Sequence, residues 1–357
     1  MIDKIKKARQ DKLEGKLNCI PFNLPRLGSI VPGIVKGSLD CITANSSVGK
    51  TTLAKKLYVY DAIDFAIKHN LDYRLIYFGL EESEEEFDFG LFSYLVHKTL
   101  NIRSNINDFQ SFVEPYPQEH LDTIEKSNVQ QLFMQYKSYI TFYDYIYNSY
   151  GIYKTIRDYA RSIGTFYNND VELTVTDFID TNPPYTHFKP NNPNQFTSVI
   201  IDHVSELIPQ KGETNLKAAI DNLVRYMRLY VTKMFNFNAL CIQQQDSSQE
   251  SVDNKKENYM EPKLQGLGDS KTTGRAYMNV FGLYNPIRYG VNTYEGYNTN
   301  KLDKYFRVMN IIKQRYGSVG EKVPLYFDGK VSDIRILPPA NDAANLDKVY
   351  KKINNLC

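Results

Sequence analysis

Ser38-Leu39-Asp40-Cys41-Ile42-Thr43-Ala44-Asn45-Ser46-Ser47-Val48-Gly49-Lys50-Thr51-Thr52 opens as an apolar strand, crosses a polar turn and enters a helix. The helix is legible because Leu53, Leu57, Tyr60, Ile63 and Ile67 recur at helical spacing. A strand, a flexible turn ending in Gly-Lys-Thr-Thr and a helix form an arrangement that holds nucleotide phosphates. Gly49 has no Cβ, so backbone N–H groups can come close to an anion there. Lys50 supplies a point charge for the β/γ oxygens, and the Thr51 hydroxyl suits Mg²⁺. The helix that follows aims its positive end at the same anion. The candidate phosphate cradle is therefore Ala44, Ser46, Ser47, Val48, Gly49, Lys50, Thr51 and Thr52. Alanine at the first position requires ordinary φ there.

Outward from this stretch, strands and helices alternate from Lys36 onward, which predicts an α/β fold with a mainly parallel sheet covered on both faces. The chain has 357 residues, enough for a full core of this kind. Its 43 basic and 41 acidic residues leave a net charge of +2, so nucleic-acid binding would need a local basic cluster. Cys19, Cys41, Cys241 and Cys357 show no metal-ligand spacing, and Cys41 and Cys241 read as small hydrophobes in core strands. No signal region or membrane-spanning run is visible, so a cytoplasmic protein without a membrane partner is expected. Residues 1–35 read as an N-terminal helix and linker, 36–337 as the α/β body and 338–357 as a tail. Val171 to Val175 reads as a half-exposed strand, Asn182 to Asn194 as a loop, and Ser247 to Thr273 as a long polar loop. Asn215 to Phe235 reads as a strong helix.

Three further strand ends carry chemistry. Phe196 to Ile201 is an apolar strand closed by Asp202, a carboxylate suited to ordering a Mg²⁺ hydration shell. His203 follows, so the base that activates water must come from elsewhere. Leu75 to Phe78 is a second strand, and Glu81 stands at its carboxyl end, where open α/β sheets bind ligands. Glu82, Glu84, Glu85 and Glu86 read as the solvated start of a helix. Ala239 to Ile242 leads into Gln243-Gln244-Gln245, and a neutral amide there could sense a γ-phosphate.

Taken in order, these motifs resemble the motor domain of DnaB-type hexameric replicative helicases, within the RecA-like ATPases. Ala44 to Thr51 is similar to that family's phosphate loop, Gly79-Leu80-Glu81 to its catalytic element, Asp202 to its Mg²⁺ aspartate and Gln244 to its sensor glutamine. Leu267-Gly268-Asp269-Ser270 falls on its DNA-loop signature, and Lys313-Gln314-Arg315-Tyr316-Gly317 resembles its Lys-x-Arg-x-Gly hairpin. The resemblance implies a RecA-like P-loop fold, ATP and Mg²⁺, single-stranded DNA, a hexameric ring and replication partners. It also implies that Lys313 and Arg315 reach the neighbouring subunit's nucleotide.

The family's primase-binding domain has no counterpart ahead of the motor, only a short helix. The acidic residues after the DNA loop are Lys271, Arg275 and Tyr277 here. Lys255, Lys256, Lys263, Lys271 and Arg275 are candidates for contacts with DNA phosphates. The expected function is a ring-forming, ATP-dependent DNA helicase or translocase. The alternative is a RecA- or KaiC-like oligomeric ATPase that does not unwind. A P-loop kinase of a small metabolite fits less well, because it needs neither Glu81 nor Arg315.

Overall fold

Leu39–Ala44 lies near the middle of a nine-stranded sheet and is buried along its whole length. The computed structural model describes residues 1–14, 17–174, 185–246, 260–267 and 271–356. In chain order the sheet strands are β1 (Leu39–Ala44), β2 (Tyr73–Gly79), β3 (Ile140–Tyr143), β4 (Phe196–Asp202), β5 (Asn238–Gln244), β6 (Asn279–Tyr284), β7 (Phe306–Gln314), β8 (Lys322–Asp328) and β9 (Asp333–Ile336). Their spatial order is β9-β8-β7-β6-β1-β5-β4-β2-β3. The six strands from β6 to β3 are parallel to their neighbours, and β7, β8 and β9 continue the sheet antiparallel. This is the mainly parallel α/β sheet expected from the sequence.

Both faces of the parallel strands are covered, which is why they read as near-continuous apolar runs. Ile42, Leu240 and Ile200 face one core with Leu53, Leu57 and Ile63 of the helix after the turn. Cys41, Cys241 and Val199 face the other, with Leu223, Met227 and Val231. The helix after the turn runs through Lys50–Ala54, Lys55–Tyr60 and Asp61–His69, its middle part widened to π geometry. The predicted helix near Asn215 begins with Asn215 as cap and spans Leu216–Tyr226 and Met227–Thr232.

Glu84–Leu100 follows β2 and starts with a capping box. Ser83 accepts from the Glu86 N–H at 3.2 Å, and Glu86 accepts from the Ser83 N–H at 2.8 Å. Asn101 ends the helix in the left-handed conformation.

The segments on either side of the expected 36–337 body also pack. The segment expected to be an N-terminal linker contributes Ile20, Phe22, Leu24, Leu27, Val31 and Ile34 to the main core, and Cys19–Pro21 pairs with Gly33–Val35. Ile2–Leu13 buries none of its residues. In the segment expected to be a tail, helix Ala343–Asn354 buries Leu346 and Ile353 against a cluster holding Phe306 and Tyr326. The predicted half-exposed strand survives as Val171–Glu172; Val175 lies outside the described residues. Within the expected Asn182–Asn194 loop, His187–Pro190 forms a strand against Gly164–Asn168. Phe188 drives this, packing its ring on Phe166 and Phe235 at 5.0 and 5.6 Å.

Candidate functional site

The turn after β1 holds two residues in the left-handed region, Ser47 at φ 58° and Gly49 at φ 108°. Gly49 is required twice over. A Cβ there would be strained by φ and would meet the Phe327 ring at 2.5 Å. Ala44, still strand, has no positive φ, as its side chain demands. Ser46 and Ser47 are exposed, Val48 is buried, and Thr51 and Thr52 are half-buried on the first helical turn. Lys50 is buried, and its ammonium makes no hydrogen bond among the described residues. Burial pushes its pKa down, the charges of Glu81 and Asp202 oppose that, and Arg288 reinforces it. A buried ammonium flanked by carboxylates and lacking an acceptor is suited to a phosphate oxygen.

Asp202 ends β4 level with Gly79 at the end of β2. The Leu80 N–H donates to the Asp202 carbonyl at 2.6 Å, holding Glu81 beside it. Glu81 is exposed, with its carboxylate 3.2 Å from His203 Nε2. Burial pushes the His203 imidazole down, and Glu81 works against that shift. Thr51 Oγ1 donates to Asp202 Oδ1 at 3.0 Å. A hydroxyl and a carboxylate side by side are hard oxygen donors of the kind Mg²⁺ takes, so Thr51 and Asp202 would be the residues to hold the ion and its hydration shell. Gln244 lies level with Ala44 and is half-buried, with no side-chain hydrogen bond among the described residues. Its neighbours are structural: Gln243 donates to the Leu267 carbonyl at 2.9 Å, and Gln245 donates to Thr43 Oγ1 at 2.9 Å.

Lys50, Thr51, Glu81, Asp202 and Gln244 are therefore gathered at the carboxyl edge of the parallel strands. Glu82 corrects the expectation of a solvated run. Glu84, Glu85 and Glu86 are exposed, but Glu82 turns inward to Lys55 at 2.6 Å, with only 18% of its side chain exposed. Tyr77 links the pair to Asp202 by donating to its Oδ2 at 2.7 Å, with Glu82 Oε1 at 3.2 Å. Burial pushes the Asp202 carboxyl up to about 6, and Glu82 adds to the rise. Tyr77, Lys55 and Thr51 oppose it.

Two arginines that the sequence did not single out also touch the turn. Arg307 on β7 donates from Nε to the Val48 carbonyl at 2.9 Å, and Arg288 donates to the Ser46 carbonyl. Burial lowers the Arg307 pKa to about 10. Asn45 donates to the Tyr289 hydroxyl at 2.6 Å.

The cationic pair lies elsewhere. Gln314, at the end of β7, pairs with Asn279, which pairs with Asp40 at the start of β1. Lys313 and Arg315 thus lie at the opposite edge of the sheet from the phosphate turn. Arg315 is exposed. Lys313 is not available in the same way. Its ammonium donates to the carbonyls of Gly274, Arg275 and Tyr277 at 2.8, 3.1 and 2.7 Å, closing the end of helix Lys271–Ala276.

Of the candidate DNA contacts, Lys255 and Lys256 lie outside the described residues, as do residues 268–270 of the DNA-loop signature. Lys263 is half-buried, Arg275 is exposed, and Lys271 begins the helix that Lys313 closes. No helix among the described residues is long and apolar enough to cross a membrane.

No protein-family model matches the chain, and no curated protein matches it. Solved structures do. The ATPase domain of the DnaB-like helicase of phage SPP1 superposes with a TM-score of 0.64 at 18% identity, over 95% of this chain and 99% of that one. A DnaB-like replicative helicase, solved in a study of its interactions with primase, superposes with a TM-score of 0.62 at 16% identity. That match covers 94% of this chain and 66% of the helicase. The chain therefore has the RecA-like fold of DnaB-type helicase ATPase domains.

Proposed function

We propose that the chain is an ATP-dependent, ring-forming DNA helicase or translocase of DnaB type. It hydrolyses ATP at subunit interfaces and moves on single-stranded DNA. ATP supplies the phosphoanhydride that is cleaved, and Mg²⁺ neutralises the charge of its phosphates. The Ser47–Gly49 turn and Lys50 hold the phosphates, Thr51 and Asp202 hold the ion, and Glu81 accepts a proton from the attacking water. Gln244, free to reorient, reports the γ-phosphate to the chain that follows it.

The observation that carries the reading is the distance between this site and Arg315. From Asp40 to Ala44 the strand rises about 3.3 Å per residue, so Arg315 and the phosphate turn are separated by roughly 15 Å along the sheet. No arginine side chain spans that gap. If Arg315 completes a nucleotide site, the site belongs to another copy of the chain. Such a contact is head-to-tail, and a head-to-tail contact forms a ring where its rotation closes and a helical filament where it does not; the proposed assembly is the closed form. The trans-acting group in this reading is Arg315 alone, since Lys313 serves its own helix. Lys263, Lys271 and Arg275 remain the candidates for DNA phosphates among the described residues.

ATP turnover measured with and without single-stranded DNA, beside strand displacement on a forked duplex, tests this. Turnover should rise several-fold with DNA and vanish in Lys50→Ala and Glu81→Gln, with displacement requiring ATP. Turnover that ignores DNA across a range of salt, without displacement, would favour the non-unwinding alternative.

A further inference from the structure

The phosphate turn is held from outside by the antiparallel half of the sheet. Arg307 Nε donates to the Val48 carbonyl at 2.9 Å, and its Nη1 donates to the carbonyls of Lys304 and Phe306 at 3.0 and 2.7 Å. All of these acceptors are backbone carbonyls, and no carboxylate pairs with the guanidinium among the described residues. The guanidinium lies 5.1 Å from the centroid of the Phe327 ring, the ring that closes on Gly49. Arg288 also donates to the turn, at the Ser46 carbonyl.

Peptide planarity turns these contacts into a statement about N–H direction. In a trans peptide the C=O of one residue and the N–H of the next point to opposite sides. Both turn peptides are trans. Drawing the Val48 carbonyl toward Arg307 therefore aims the Gly49 N–H away from Arg307. Drawing the Ser46 carbonyl toward Arg288 does the same for the Ser47 N–H. Ser47 and Gly49 are the two residues of the turn with positive φ, the conformation that builds an anion-binding concavity from backbone N–H groups.

We infer that Arg307 is a positioning residue for the nucleotide: by holding the Val48 carbonyl it fixes the phosphate turn in its anion-binding conformation before ATP arrives. Ordering the turn in advance removes a conformational cost from binding. The inference rests on the nucleotide-site reading above. It adds a residue that touches the turn and not the phosphates.

The test is equilibrium binding of a fluorescent ATP analogue to the full chain, with steady-state turnover and the thermal midpoint recorded for each variant. Arg307→Gln should weaken binding about tenfold, the loss expected for one charge-assisted hydrogen bond. Turnover at saturating ATP should change less than affinity does. Arg307→Lys, which keeps a cationic donor, should recover part of the affinity while its thermal midpoint stays with that of Arg307→Gln. Binding by Arg307→Gln within twofold of the unmodified chain overturns the inference. So does equal weakening in both variants that tracks a falling thermal midpoint, because that describes a merely structural arginine. An unmodified chain that binds no analogue overturns the nucleotide reading itself, and this inference with it.

Discussion

Tyr77 donates its phenolic hydrogen bond to Asp202 at 2.7 Å, with the Glu82 carboxylate 3.2 Å away on its other side. One hydroxyl thus lies within hydrogen-bond distance of two carboxylates. Lys55 answers the charge of Glu82 from the widened part of the helix after the phosphate turn. Asp202, the carboxylate proposed to order the metal ion, is itself held by residues outside the proposed ligand set, an arrangement with measurable consequences.

Replacing Tyr77 with Phe removes a donor from a buried carboxylate while preserving the ring. Asp202 should then be less firmly placed, and the Mg²⁺ concentration giving half-maximal ATP turnover should rise several-fold. Metal-free nucleotide binding should change little. The thermal unfolding free energy should fall by about 1–3 kcal/mol, the cost of leaving a buried acceptor unsatisfied. Unaltered Mg²⁺ dependence would show that the hydroxyl serves packing alone.

Breaking the Lys55–Glu82 pair from one side should cost more than removing both charges. The two side chains are only 8% and 18% exposed. Lys55→Met leaves Glu82 unpaired beside Asp202, and a stability loss of about 3–5 kcal/mol is expected. Adding Glu82→Gln should restore a large part of it. Denaturant unfolding of the two single variants and the double variant checks this through the coupling energy.

The parts of the site that were legible in the sequence share one property: each is written in a few consecutive residues. Gly49-Lys50-Thr51 follows an apolar strand, and Asp202 and Glu81 each close one, so position at a strand end marked them. The supporting shell is not local. Tyr77 meets Asp202 across 125 residues and Arg307 meets Val48 across 259, contacts that only the sheet order creates. Glu82 misled for a related reason. Its acidic neighbours do face water, but Lys55, brought close by the helix after the phosphate turn, turns this one inward. Lys313 and Arg315 read as twins in the sequence, and only the Lys271–Ala276 helix end, which the Lys313 ammonium closes, sets them apart. The packing of the segments on either side of the 36–337 body was not legible, because a few apolar residues in polar surroundings, such as Leu27 and Leu346, carry little periodic signal yet are buried.

Asp333, at the start of β9, gives a pH-dependent prediction. Burial would raise its carboxyl, but hydrogen bonds from His97, Arg335 and Lys352 outweigh it and hold the pKa well below the usual carboxylate range. Lys352 belongs to the C-terminal helix and donates to Asp333 at 3.0 Å. A folded-state pKa below the unfolded one contributes stability above the unfolded pKa, and that stability is lost as pH falls through the folded value. Asp333→Asn should therefore destabilise the protein by about 2 kcal/mol near neutral pH. The difference should shrink in acid, once the unmodified chain also protonates. Thermal unfolding of both proteins from pH 7 down through the carboxylate range checks the sign.

Arg315 provides the decisive test of assembly, because its place at the far edge of the sheet separates it from its own phosphate turn. Arg315→Ala chains should bind ATP close to normally and hydrolyse almost none. Lys50→Ala chains should also be inactive, for the opposite reason. Mixed and reassembled in equal amounts, the two should regain activity. Wherever an Arg315→Ala chain offers its intact phosphate turn to a Lys50→Ala neighbour that still carries Arg315, one complete site forms. With random head-to-tail assembly, about a quarter of the interfaces are of that kind. Turnover of the mixture well above both parents, and dependent on total protein concentration, is the expected result. A mixture no more active than its parents would mean that Arg315 serves no neighbouring site, and hydrolysis would have to be completed within a single chain.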